Sequence, residues 1–128
     1  MKRRILLIDD EPFLLKVLLV RLKHWGYDAL GAENGPEGFA IMRKNKPDLI
    51  ILDKEMPGMN GEEVVRIVRR DPELKQIPII MISADVENIE ACAKACGVAH
   101  YLTKPCEPED LLEMIQMQFD TSESAEST

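Results

Sequence analysis

The sequence predicts an α/β fold in which five βα units wind one parallel sheet with helices on both faces. Three observations carry this. Four short aliphatic runs, each bounded by polar residues, read as buried strands. Stretches with apolar residues three and four apart lie between them and read as helices. Strand and helix signals alternate along the chain with short connections, the pattern of parallel strands joined by right-handed crossovers. There is no internal repeat and no sign of a second domain.

The elements follow in order. Residues 4–8 form a first strand, its core Ile5-Leu6-Leu7-Ile8. A helix over 11–25 places Leu14, Leu15, Leu18, Leu22 and Trp25 on one side, with Pro12 in the first turn, where a missing N–H is harmless. Gly26 suits a left-handed stop. A weaker strand spans 27–32. Asn34-Gly35-Pro36-Glu37 then supplies a capping side chain, an early proline and a glutamate three residues on, opening a helix to about residue 44 with Phe39 and Met42 inward. A third strand occupies 49–52. The next helix, from 61 or 62 to 70, buries Val64, Val65, Ile67 and Val68 and ends at Asp71-Pro72. The fourth strand, 77–82, tolerates Pro78 near its start. Asp85 can cap a fourth helix that carries Ile89, Cys92, Ala93 and Cys96 and stops at Gly97. A fifth strand spans 99–102. Pro108 opens the last helix, with Leu111, Leu112, Ile115 and Phe119 as its buried face. The domain is thus expected over 1–120. Residues 121–128 contain nothing apolar larger than alanine and are expected to be a disordered polar tail or the start of a linker.

Bulk properties narrow the function. With 128 residues, 45% hydrophobic and 30% charged, the chain suits one globular domain. A net charge of −7 argues against direct binding of nucleic acid or an anionic membrane, both of which call for a basic face, and suits a divalent cation or basic partners. Cys92, Cys96 and Cys106 form no disulfide framework. Cys92 and Cys96 share a helix face, but zinc would need two further ligands, so all three read as small packed residues. The apolar run after the basic start ends at Asp9, too soon for a signal peptide, and no run approaches a membrane span. A soluble, reducing, cytoplasmic setting is the expectation.

The chemistry lies where the strands end. The first strand leads into Asp9-Asp10, the third into Asp53, the fourth into Ser83 and the fifth into Thr103-Lys104-Pro105. In an open parallel sheet, the carboxyl ends of the strands line the ligand crevice. Three carboxylates, a hydroxyl and an ammonium therefore gather at one rim.

In this pattern the sequence resembles the receiver domain of two-component response regulators, in particular single-domain, chemotaxis-regulator-like members. The resemblance covers about residues 3–119. It rests on Asp9-Asp10, on Asp53 followed by Met56-Pro57-Gly58 and Gly61, on Ser83-Ala84 and on Lys104-Pro105, in order and each at the end of its strand. It implies a flavodoxin-like strand order, 2-1-3-4-5. It implies that Asp53 accepts a phosphoryl group from a phosphohistidine on a sensor histidine kinase or a histidine phosphotransferase. It also implies Mg²⁺ or Mn²⁺ held by the Asp10 and Asp53 side chains and the Glu55 backbone carbonyl, with Asp9 assisting directly or through water. Ser83 would hydrogen-bond a phosphoryl oxygen, Lys104 would pair with the phosphate, and the Lys104–Pro105 peptide would be cis. Tyr101 matches an aromatic whose movement couples to phosphorylation, with the signal read at the face of the fourth helix, fifth strand and fifth helix. A phosphoacceptor signalling module of this kind is not an enzyme, though it assists its own phosphorylation and dephosphorylation. It works as a monomer or a weak phosphorylation-linked dimer and acts on a downstream protein.

Elementary chemistry supports these roles. Crowded carboxylates raise one another's pKa unless a cation enters. Mg²⁺ takes a few carboxylate oxygens plus water and phosphate. Phosphoryl transfer needs positioning and charge neutralisation, and a carboxylate is a workable nucleophile that yields an acyl phosphate. Plainer readings stand beside these. Asp9-Asp10 could cap the first helix, although a cap needs only one Asp. Asp53 could be a loop carboxylate, Ser83 a turn hydroxyl, Lys104 a solvated lysine and Tyr101 a half-buried strand aromatic.

Some positions depart from the family pattern. Lys54 replaces a usually apolar residue beside Asp53, and Cys106 a usually large one after the Lys-Pro pair. Glu55 and Asp85 sit two residues beyond Asp53 and Ser83, positions that in the family border the path of attacking water and influence the lifetime of the aspartyl phosphate; two acids there could orient water or repel hydroxide. One rival is a Mg²⁺-dependent aspartyl-phosphate phosphatase or phosphotransferase, for which Glu55 has the offset of a general acid. A second is a flavin carrier, which the acidic Asp9-Asp10-Glu11 loop rejects. A third is a degenerate receiver that only binds proteins, against which the complete rim speaks.

Overall fold

The computed structural model describes the backbone of residues 2–127 and the side chains of residues 2–120. The elements run β1 (Arg4–Ile8), α1 (Pro12–His24), β2 (Asp28–Ala32), α2 (Gly35–Asn45), β3 (Leu49–Asp53), α3 (Gly61–Arg70), β4 (Ile79–Ser83), α4 (Ile89–Cys96), β5 (His100–Thr103) and α5 (Pro108–Ser127). The strands form one sheet in the order β2-β1-β3-β4-β5. Every pairing is parallel, so the flavodoxin-like order is present. Among the described residues no helix is long and apolar enough to cross a membrane.

The central strands explain their own sequences. Every residue of β3 and of β4 is buried. A strand covered on both faces reads as an unbroken aliphatic run. One core layer joins Leu6, Ile8, Ile50 and Leu52 to Met42, Val64, Val68 and Ala93 from α2, α3 and α4. The opposite layer joins Ile5, Leu7, Ile51 and Ile80 to Leu15, Leu22, Leu111 and Ile115 from α1 and α5. β1, β3 and β4 pass from these apolar layers to polar residues at their carboxyl ends, Asp9, Asp53 and Ser83.

Caps fix where two helices begin. The Asn34 side chain accepts from the Glu37 amide at 2.8 Å, and the Asn60 side chain from the Glu63 amide at 3.0 Å. Asn60 is therefore a helix cap, beyond the turn role its sequence context suggests. At the opposite end of the sheet Arg4 is tied to Asp28, Asp48 and the Asn45 carbonyl.

Several boundaries differ from expectation for local reasons. The Tyr27 amide donates to Leu22 O, which holds Tyr27 to the end of α1, so β2 starts at Asp28. β4 starts at Ile79: Pro78 has no N–H to give, and contributes only its carbonyl, to Ile50 N. The expected cap by Asp85 is corrected. α4 starts at Ile89 after a turn, and the Asp85 carboxylate accepts from the Asn88 side chain and pairs with Lys54 instead of any helix amide. Ile67, expected inside, is 37% exposed. Leu112 is only half-buried, whereas Leu111, Ile115 and Phe119 are buried as expected. The helix α5 is assigned through most of the stretch expected to be a disordered tail. The side chains of residues 121–127, and all of Thr128, lie outside the described residues.

Candidate functional site

Register brings the polar ends together. Ile8 pairs with Leu52, which places Asp9 beside Asp53. The Lys54 amide donates to Ile82 O, and the Lys104 amide donates to Ser83 O, at 2.8 Å each. Four strands thus deliver Asp9, Asp53, Ser83 and Lys104 to one rim. The Lys104–Pro105 peptide bond is cis.

Asp9, Asp53 and Ser83 are the buried polar side chains among the described residues, with 3%, 4% and 0% exposure. Burial of a polar group demands partners, and each has them. Asp9 Oδ1 accepts from the Glu11 amide at 2.9 Å, and Asp53 Oδ1 from the Glu55 amide at 3.1 Å. Their Oδ2 atoms share one cation: Lys104 Nζ lies 3.3 Å from Asp9 and 3.1 Å from Asp53. Half-buried Asp10 completes the group, with carboxylate oxygens of Asp9, Asp10 and Asp53 all within 4.8 Å of one another. Hard oxygen donors at that spacing fit a small divalent cation such as Mg²⁺.

Electrostatics follow from the crowding. Burial pushes Asp53 up to about 6, the Asp9 charge adds to this, and Lys104 offsets part of it. Lys104 itself is raised: burial lowers it, but Asp53 and Asp9 outweigh that. Asp53 is therefore a carboxylate that ionises well above the range of an ordinary aspartate.

The second tier is a closed set of pairs. The Ser83 hydroxyl donates into the Glu55 carboxylate, 2.6 Å from Oε2 and 2.9 Å from Oε1. The Ala84 amide donates to Glu55 Oε1 at 2.9 Å, and the Asp85 amide donates to Ser83 Oγ at 2.9 Å. Lys54 Nζ reaches Asp85 Oδ2 at 3.4 Å and Glu55 Oε2 at 3.9 Å. Asp85 is lowered, by Asn88 first and by Lys54. The two flanking acids thus hold different partners. Glu55, which the phosphatase reading needs as a general acid, is committed to Ser83 and Ala84.

Other expected features find their places. Gly58 has φ +83°, the left-handed region that glycine enters freely. At Gly61 an added Cβ would lie 2.8 Å from Asp53 O and from Lys54 Cα, so the loop passes too close for a side chain. Cys106 lines a groove of about 400 Å³ with Leu14, Leu18 and Pro105. Tyr101 is half-buried against the layer under α4. Cys92 and Cys96 pack against that layer too, and a Glu62 carboxylate oxygen lies within 4.8 Å of both sulfurs. Burial and Glu62 push the Cys92 thiol up to about 12, so it stays protonated at neutral pH and behaves as a packed residue.

Two features escaped the sequence. One is the seat of the Glu55 carboxylate, which no local pattern encodes. The other is an apolar strip on the outer face of α1, where Phe13 is 81%, Val17 40% and Val20 63% exposed. The spacing of those three residues was a signal available in the sequence.

The comparisons agree with the geometry. A family model described as the response regulator receiver domain matches residues 5–116. Protein PilH of Pseudomonas aeruginosa is 40% identical over 113 residues, covering 88% of this chain and 93% of PilH. The DNA-binding response regulator MtrA of Mycolicibacterium smegmatis is 32% identical over 124 residues, covering 96% of this chain and 53% of MtrA, so the chain spans about half of that relative. The crystallised chemotaxis protein CheY4 of Vibrio cholerae superposes with a TM-score of 0.86 at 32% identity, covering 91% of this chain and 98% of that one.

Proposed function

The chain belongs to the response regulator receiver domain family, and from that premise we propose which of its residues carry out the phosphoacceptor role. Phosphoacceptor signalling in a two-component system is the function of the domain. Asp53 is the acceptor. One of its carboxylate oxygens attacks the phosphorus of a phosphohistidine. The new O–P bond forms as the P–N bond breaks, the imidazole leaves with the electron pair and takes a proton, and an acyl phosphate remains on Asp53. The donor is a sensor histidine kinase or a histidine phosphotransferase in the cytoplasm. A protein of unstated identity reads the result, and neither nucleic acid nor membrane is contacted directly.

The observation that carries this reading is the shared cation. Lys104 bridges two nearly buried carboxylates, one of them Asp53. On phosphorylation Lys104 pairs with the phosphate, and the Ser83 hydroxyl donates to a phosphoryl oxygen. The Asp10 and Asp53 side chains and the Glu55 backbone carbonyl would hold Mg²⁺ or Mn²⁺, with Asp9 direct or through water. When bound, the ion neutralises charge on the phosphoryl oxygens. The phosphoryl group brings up to about two negative charges, drawing Ser83 and Lys104 inward. Tyr101 follows and changes the face of α4, β5 and α5. The protein acts as a monomer or as a weak dimer formed on phosphorylation, with residues 1–120 as the working domain. Treatment with a small phosphodonor and Mg²⁺, followed by intact mass, tests the assignment: the native chain gains one phosphoryl group and Asp53→Asn gains none. A gain in both would misplace the acceptor.

A further inference from the structure

We infer that in the unphosphorylated protein the Glu55 carboxylate is an internal anion seated on the Ser83 hydroxyl, the donor proposed for a phosphoryl oxygen, and on the adjoining Ala84 amide, and that phosphorylation must first displace it. The inference rests on Asp53 as acceptor and concerns the state that precedes transfer.

The contacts are specific. Ser83 has one hydroxyl proton. Its oxygen already accepts from the Asp85 amide at 2.9 Å, which turns that proton toward Glu55 at 2.6 Å. The Ala84 amide supplies a second donor at 2.9 Å. Two donors from the end of β4 thus converge on the two oxygens of one anion. Hydrogen bonds to a charged acceptor are among the stronger ones in proteins. Glu55 also starts from the right place, since its own amide donates to Asp53 Oδ1 at 3.1 Å. Lys54, 3.9 Å from Glu55 Oε2, supplies a partial countercharge.

Ser83 is fully buried, whereas Glu55 is exposed. The donors are fixed and the anion is the movable part. A phosphoryl group on Asp53 that calls on Ser83 brings charge of the same sign to the donors Glu55 occupies. Two anions cannot share that pair without strong repulsion, so the carboxylate must swing into solvent. Glu55 therefore sets a barrier to phosphorylation, and it keeps the Ser83 hydroxyl turned toward the site beforehand.

The test uses the native chain, Glu55→Ala, Ser83→Ala and the double variant. Alanine at 55 keeps the backbone carbonyl proposed as a cation ligand. Without any phosphodonor, the Ala84 amide proton resonance should move upfield in Glu55→Ala, because its charged acceptor is gone. With acetyl phosphate and Mg²⁺, single-turnover phosphorylation of Glu55→Ala should be about tenfold faster than native, a barrier change of about 1.4 kcal/mol. In the Ser83→Ala background the same substitution should give a clearly smaller gain, because Glu55 has already lost one of its two anchors. An unmoved Ala84 resonance, or an equal gain in both backgrounds, overturns the inference; the latter would mean that Glu55 acts by net charge alone. If the native chain takes no phosphoryl group at Asp53, the acceptor assignment fails, and the Ala84 resonance still decides whether the contact exists.

Discussion

The ammonium of Lys104 lies 3.1 Å from Asp53 Oδ2, closing a path of 51 residues between the ends of β3 and β5. The same ammonium is 3.3 Å from Asp9. One cation facing two nearly buried carboxylates leaves the site under-neutralised. The proton on Asp53 or a second cation must make up the difference.

That imbalance sets a pH dependence. Asp53 stands at about 6 in the folded protein against 3.8 for the unperturbed group. The folded state thus binds this proton more tightly, so stability from Asp53 is full below about pH 4 and is lost as pH rises through 6. The loss amounts to at most about 3 kcal/mol. In metal-free buffer, the stability of the native chain relative to Asp53→Asn should fall between pH 4 and pH 7, and Mg²⁺ at pH 7 should restore it. Denaturant titrations of both proteins measure this. A relative stability that climbs with pH would contradict the electrostatic picture.

Lys104→Ala should expose the repulsion directly. Removing one partner of a buried ion pair costs on the order of 3 kcal/mol, and the cost here should grow with pH as Asp53 ionises. Mg²⁺ should recover part of the stability but little of the phosphorylation rate, since Lys104 is also proposed to pair with the phosphate. Thermal melts with and without Mg²⁺, set beside phosphodonor kinetics, separate the two effects. Undiminished phosphorylation would remove Lys104 from the chemistry.

Gly61 and Gly58 make a contrasting pair. A Cβ at Gly61 would strike the backbone of Asp53 and Lys54, whereas at Gly58 it meets open space but a left-handed backbone. Gly61→Ala should cost about 1–3 kcal/mol and also slow phosphorylation, because the backbone at Asp53 and Lys54 must shift. Gly58→Ala should cost about 1–2 kcal/mol of backbone strain with the rate nearly kept. Equal rates for the two variants would show that the close approach at Gly61 does not position Asp53.

Phe13 stands three residues beyond Asp10 and is almost wholly exposed on α1. With Asp53 as the proposed acceptor, a partner that brings it a phosphohistidine is expected to cover this first turn, which begins two residues after Asp10. Phe13→Ala should slow transfer from a phosphorylated partner about tenfold, or about 1.4 kcal/mol, while leaving phosphorylation by a small phosphodonor unchanged. The two rates measured side by side check this, and a loss in both would mean the substitution disturbs the site itself.

The sequence was legible wherever burial is two-sided or a motif is contiguous. β3 and β4 lie under helices on both faces, so their aliphatic runs have no competing explanation. Asp9, Asp53 and Ser83 stand at the ends of the aliphatic runs of β1, β3 and β4, so strand ends sufficed to bring them together. Long-range side-chain choices were not legible. Asp85 looks like a cap locally, but Lys54, 31 residues away, takes its carboxylate. The seat of Glu55 depends on Ser83, 28 residues away. Ile67 has helical spacing with its neighbours, yet it falls at the edge of the buried stripe on α3. On α1, periodicity put Leu15 and Leu22 on the buried side, as found, but gave no reason to expect that Phe13 and Val20 would form an exposed apolar strip on the other.

The most direct measurement locates the acyl phosphate. After reaction with acetyl phosphate and Mg²⁺, borohydride reduction converts a phosphorylated aspartate to homoserine, and tandem mass spectrometry of the digest reads its position. Homoserine at residue 53 alone is the predicted result. Homoserine at residue 9 or 10, or no reduced aspartate in a chain that has gained phosphate, would contradict it.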